Sequence, residues 1–235
     1  MEYQRGYDKS IFRITHRDIG EYQRLLGFSL DALKPSAWVL DLGSGKFQEF
    51  ARGSATNRSD LTVISVDPSL GLPIKDEEID KLKVSYQIMY YGLGKRPISE
   101  QEDRILRRKN VFGNVTAALA TYLPFRNEVF DYIFDNHGAF TYSPAYREEL
   151  LKKYLQELLR VLKPSGIISI YPGDLMEELT GLRKLEIDKK IELVKTHRLK
   201  LIRELGIDDY SEFFLCSESP EEPNLTRVGI KIEKP

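Results

Sequence analysis

Cysteine is nearly missing from this chain: 235 residues contain one, Cys216. An internal disulfide and a multi-cysteine metal site are both excluded. Cys216 itself reads as a small buried strand residue. Histidine is scarce as well. His16, His137 and His197 are the only three, and no pair of them has metal-ligand spacing, so no metal is expected. No apolar run approaches the ~20 residues of a membrane span, and the polar N-terminus does not read as a signal peptide. The expectation is a cytoplasmic protein without membrane association. Net charge is nearly absent too: 35 Lys and Arg face 36 Asp and Glu, for a formal charge of −1. Nothing global therefore draws the chain to nucleic acid or to an anionic surface. There is no internal repeat and no low-complexity tract.

What is present suits one α/β domain. Hydrophobic residues make up 41% of the chain, enough for a sizeable core. Residues 1–35 read as a polar, helical N-terminal segment, with Ile19, Tyr22, Leu25 and Leu26 at helix spacing and Pro35 closing it. Strands are expected near 38–42, 61–67, 114–119, 131–136 and 166–171. Helices are expected near 46–56, 74–82 and 146–162. Asp174 to Glu177 begins a long charged helical region reaching about Glu204. Phe213 to Cys216 and Arg227 to Glu233 read as two closing strands able to pair as a hairpin. Residues 83–112 form a candidate insertion.

The most informative stretch is Trp38 to Ala51. Val39, Leu40 and Leu42 make the short apolar run of a buried parallel strand. Asp41 and Gly43-Ser44-Gly45 interrupt it, and Phe47, Phe50 and Ala51 follow at helical spacing. Strand, glycine turn and helix together grip nucleotide-like ligands. Glycine lets the backbone come close, and the helix N-terminus offers unpaired N–H groups. The second strand ends in Asp67, at the tip where a ribose hydroxyl pair is usually held. A dinucleotide-binding fingerprint needs a third glycine where this chain has Gln48, and a long polar side chain there argues against that fit.

Asp41-Leu-Gly43-Ser-Gly45 followed by Asp67 resembles the cofactor site of the class I S-adenosylmethionine (SAM) methyltransferases. Leu123-Pro124-Phe125 with Phe130-Asp131-Tyr132-Ile133 is similar to that family's third and fourth strand region. Leu158 to Gly166 is similar to the helix and turn before its fifth strand. The resemblance runs in order across 38–172 and implies a doubly wound, Rossmann-like, mostly parallel seven-stranded sheet with an antiparallel closing strand. The methyltransferase domain is then 36–235. The family often has a third glycine where this chain has Phe47, and often an adenine-reading acid where it has Leu119.

The resemblance implies SAM as cofactor and a set of contacts. Gly43, Ser44 and Gly45 would approach the methionine portion. Asp41 would orient the loop or meet the cofactor's ammonium, and Asp67 would accept from both ribose hydroxyls. Ala120 and Thr121 would flank the adenine. In open parallel sheets the ligand crevice lies beyond the strand carboxyl ends, so Asn136, His137 and Tyr142 should face the transferring methyl group. His137 and Tyr142 are the candidate catalytic residues. His137 either takes a proton from the acceptor or only packs within its loop. Tyr86, Tyr90, Tyr91 and the basic cluster Arg104, Arg107, Arg108 and Lys109 either close over a substrate, touch RNA phosphates, or form a solvated helix face. The reading is methyl transfer to a small-molecule acceptor. An RNA or protein acceptor and a non-catalytic binding module stay open as alternatives.

Overall fold

The computed structural model describes residues 19–45, 48–67, 70, 112–136, 148–173, 188–189, 192, 196, 201–219 and 222–235. Its centre is a seven-stranded sheet. The strands are β1 (Trp38–Leu42), β2 (Thr62–Val66), β3 (Asn114–Thr116), β4 (Phe130–Asn136), β5 (Leu162–Tyr171), β6 (Ser211–Ser219) and β7 (Glu222–Glu233). They lie in the order β3-β2-β1-β4-β5-β7-β6. β7 runs antiparallel to both of its neighbours, and the other six strands share one direction. This is the expected doubly wound sheet with its antiparallel closing strand, and the two closing strands do pair as a hairpin.

Alternation along β1 sends side chains to two cores. Leu40 and Leu42 face one side and Val39 the other. On the first side packs α3 (Glu148–Val161). Leu151, Tyr154, Leu155 and Leu158 recur at i, i+3, i+4 and i+7 along it, and all are buried. On the second side lie α1 (Ile19–Leu26) and α2 (Glu49–Asn57). Aromatic contacts join them to the sheet. Phe28 stacks on Phe134 of β4 at 4.3 Å between ring centres. Phe50 of α2 meets Phe134 edge-on at 5.2 Å, and Tyr22 of α1 lies 5.6 Å from Phe50. Burying each such ring contributes about 1.5–3 kcal/mol. The N-terminal helix is thereby part of the second core.

The Leu123–Phe125 segment is held by α3. Arg160 donates to the carbonyls of Leu123 (3.0 Å) and Phe125 (2.8 Å), and Glu157 accepts from the Leu123 N–H at 2.8 Å. This paired guanidinium and carboxylate give the Leu-Pro-Phe run a structural reason. β5 begins four residues earlier than its apolar run suggested. Leu162 pairs with Phe130 ahead of a register shift, and Ser165 takes a left-handed conformation with φ 56°. The turn read in Lys163 to Gly166 survives as this irregularity, where the Ser165 N–H donates to the Lys234 carbonyl and the Lys234 N–H to that of Gly166. The helix expected near 74–82 and most of the 83–112 insertion lie outside the described residues. The segment after Asp174 is helical where described, through 201–204. Among the described residues no helix is long and apolar enough to cross a membrane.

Candidate functional site

The carboxyl ends of β1 and β2 meet at the glycine turn. The Gly43 N–H donates to the Val66 carbonyl at 2.8 Å, which closes the ends of the two strands together. Gly43 and Gly45 have φ of 66° and 60°, a left-handed backbone that side chains disfavour. The Gly45 N–H donates to Asp67 Oδ2 at 3.0 Å, so the acid at the tip of β2 also holds the turn that follows β1. The Asp67 N–H in turn donates to the Thr116 carbonyl at the end of β3, at 3.3 Å. Among the described residues, a Cβ placed on Gly45 would meet nothing within 4 Å.

Asp41 lies beneath this turn. It pairs in register with Ser65 of β2 and Phe134 of β4 and is fully buried, 0% exposed. The Tyr22 hydroxyl of α1 donates to Asp41 Oδ1 across 3.4 Å, a long contact. Asp41 Oδ2 is buried and has no hydrogen-bond partner among the described residues. The same holds for Ser44 Oγ and Ser65 Oγ. Burial holds the Asp41 carboxyl well above the usual carboxylate range. The Tyr22 hydroxyl opposes that shift, while Asp67 and Asp135 reinforce it by repulsion. Asp41 thus feels both neighbouring acids where the strands end.

β4 supplies Asp135 and Asn136, both buried. Asp135 Oδ2 accepts a 2.5 Å hydrogen bond from the Tyr154 hydroxyl of α3. Burial, and then repulsion and hydrogen bonding from Asp135, push the Tyr154 phenol well above its ordinary value, so it stays a donor. Ala120 and Thr121 are half-buried in a tight turn after β3. The Tyr122 N–H donates to the Leu119 carbonyl there at 2.9 Å, and Tyr122 is exposed. β3 is shorter than expected because the chain bends into this turn after Thr116. Leu119, where an adenine-reading acid was sought, is one end of the turn's bridge to Tyr122.

The structure therefore brings Asp41, Gly43, Ser44, Gly45 and Asp67 together at the ends of β1 and β2. It puts Ala120 and Thr121 beyond β3, and Asn136 at the end of β4. His137 and Tyr142 lie outside the described residues. Sequence reasoning missed Tyr22, Ser65 and Tyr154, and saw in Gln48 only a departure from a pattern. Tyr154 was findable, since it sits on the apolar stripe of α3 and a buried tyrosine hydroxyl usually finds a partner.

Strand order and glycine turn define a class: the Rossmann-like sheet of the class I methyltransferases. The family described as methyltransferase domain matches residues 86–170, which span β3, β4, α3 and most of β5. With this topology, the match to this part of the chain supports a SAM-dependent methyltransferase of class I. The match begins beyond the glycine turn, so the turn's part in the site rests on geometry. No curated protein matches the sequence. Among solved structures, one titled a possible exported protein from Bordetella parapertussis is 13% identical, with 92% of this chain and 66% of that one covered and a TM-score of 0.51. It shows the shared fold. A SAM-dependent methyltransferase from Methanosarcina mazei is 14% identical over 87% of this chain and 95% of its own, with a TM-score of 0.48.

Proposed function

We propose that the chain binds SAM over the Gly43–Gly45 turn and transfers its methyl group to a small-molecule acceptor in the cytoplasm. The observation that carries this reading is the turn itself. It is a left-handed glycine pair, with open space at Gly45 among the described residues, tied by Gly45 to the acid at the tip of β2, above a buried carboxyl whose Oδ2 has no partner among those residues. Asp67 accepts from the ribose hydroxyls, and Gly43, Ser44 and Gly45 line the methionine portion. Asp41 lies beneath the turn and offers its unsatisfied Oδ2 to the cofactor's ammonium. Ala120 and Thr121 flank the adenine, and Asn136 closes the floor at β4.

The cofactor's sulfonium supplies a methyl group that is already activated for displacement. What remains for the chain is to bind, align and exclude water. His137 takes the acceptor's proton and Tyr142 positions the acceptor. A small molecule is favoured over RNA because the charge is balanced at −1. The test is a screen of hydroxyl- and amine-bearing acceptors, followed by His137→Ala and Tyr142→Phe. Both variants should bind SAM as the wild type does, and His137→Ala should lose roughly 10²–10⁴-fold in turnover. Wild-type turnover in both variants would remove them from the acceptor site.

A further inference from the structure

Gln48 has an environment that an ordinary turn residue does not need. It is fully buried and left-handed, with φ 49° and ψ 47°, immediately before the first residue of α2. A non-glycine residue adopts that conformation at a cost of order 1–2 kcal/mol, so something must hold it there. Its side-chain amide does so by pairing with a single peptide strand. Gln48 Nε2 donates to the Phe112 carbonyl at 2.8 Å, and Gln48 Oε1 accepts from the Phe112 N–H at 2.7 Å. Both halves of the amide are used, as in a rung of β-sheet. One helical turn on, the Arg52 guanidinium lies 4.8 Å from the centre of the Phe112 ring. Residues 48 and 52 thus seat Phe112 across the first turn of α2, and Gly113, at φ 64°, then turns the chain into β3.

We infer that Gln48 is the positioning residue of the cofactor turn in this chain, and that its amide, clamped on the Phe112 backbone, sets where α2 begins. The inference rests on the SAM reading above. It follows from connectivity. Gly45, whose N–H is tied to Asp67, lies three residues before Gln48. The chain between them therefore spans two fixed points, one on the tip of β2 and one on the entry to β3. Releasing the second point frees the end of the turn that leads into the helix. The first turn of α2, whose N–H groups would otherwise be available to a ligand, then shifts relative to the glycine turn. The amide does here what a glycine does elsewhere. A glycine permits the left-handed backbone, whereas Gln48 compels it and couples it to β3.

The experiment measures SAM and its demethylated product by calorimetry, well below each protein's melting temperature, on wild type, Gln48→Ala, Gln48→Gly, Gln48→Glu and Arg52→Ala. Gln48→Ala keeps a side chain in the left-handed position without the amide, and Gln48→Gly relieves the backbone but also loses the amide. Both should bind roughly 10- to 100-fold more weakly. Gln48→Glu keeps an acceptor for the Phe112 N–H but no donor for its carbonyl, and should fall between them and wild type. Arg52→Ala removes the ring contact and leaves the Gln48 amide on the Phe112 backbone. It should lower the melting temperature while leaving affinity within about 3-fold. A folded Gln48→Ala or Gln48→Gly that binds within about 3-fold of wild type overturns the inference, whatever its melting temperature. Should Gln48→Ala fail to fold, Gln48→Gly and Gln48→Glu decide the question by the same criterion. A wild type that binds neither compound sinks the cofactor reading, and this inference with it.

Discussion

Replacing Asp67 by asparagine separates its two duties. In the structure Asp67 Oδ2 accepts from the Gly45 N–H at 3.0 Å, and its own N–H reaches the Thr116 carbonyl. The asparagine carbonyl can accept from Gly45 in the same geometry, so the turn keeps its tie. Folding stability should stay within roughly 0.5 kcal/mol of wild type. The cofactor contact differs. Two ribose hydroxyls need two acceptors, and asparagine offers one acceptor and a donor, without charge. Hydrogen bonds to a charged group are worth about 1.5–3 kcal/mol, so SAM affinity should fall roughly 10- to 150-fold. Asp67→Ala should lose the same affinity. It should also lose about 1 kcal/mol of stability, because the half-buried Gly45 N–H gives up its partner. Calorimetry with SAM and urea unfolding, run on both variants, read the two quantities separately. An Asp67→Asn variant that is stable and binds SAM as tightly as wild type would refute the ribose assignment.

Three other perturbations probe neighbouring parts of the site. Gly43→Val puts a β-branched residue at φ 66° in the proposed cofactor turn and should abolish SAM binding; retained binding would mean that the turn does not approach the cofactor. Tyr154→Phe takes the hydroxyl from buried Asp135 and should cost roughly 1.5–3 kcal/mol in urea unfolding with an unchanged slope; an unchanged midpoint would show that the contact contributes nothing. Asp41 has a folded-state pKa raised above its unfolded value, so the folded state binds its proton more tightly. Its contribution is therefore favourable below the unfolded value and is lost as pH rises toward the raised one. Asp41→Asn should thus melt near wild type at about pH 3.5 and increasingly above it from about pH 4 upward; a melting difference that does not change with pH contradicts this.

Much of the fold was readable because its core strands carry their own signal. Val39 to Leu42, Thr62 to Val66 and the run from Phe130 are short, apolar and bounded by turn residues, which is what burial on both faces of a parallel sheet requires. The glycine turn and Asp67 were legible for the same local reason. What was not legible depends on partners far along the chain. α2 begins at Glu49 rather than near residue 46, because Gln48 is fixed in a left-handed conformation by Phe112. The strand part of 114–119 stops at Thr116, where the chain leaves its pairing with Val66 for the turn at Leu119. The hydroxyl of Tyr22, three residues from the start of α1, reaches the acid of β1 only because the aromatic cluster seats that helix on the sheet. None of these pairings has a period or a motif, so no window of sequence displays them.

The central claim, that the glycine turn of this chain holds S-adenosylmethionine, is tested most directly by titrating the wild-type protein with SAM beside the Gly43→Val variant in one calorimetric experiment. The account predicts saturable binding of one SAM per wild-type chain and none by a folded Gly43→Val. No binding by the wild type, or equal binding by both, would contradict it.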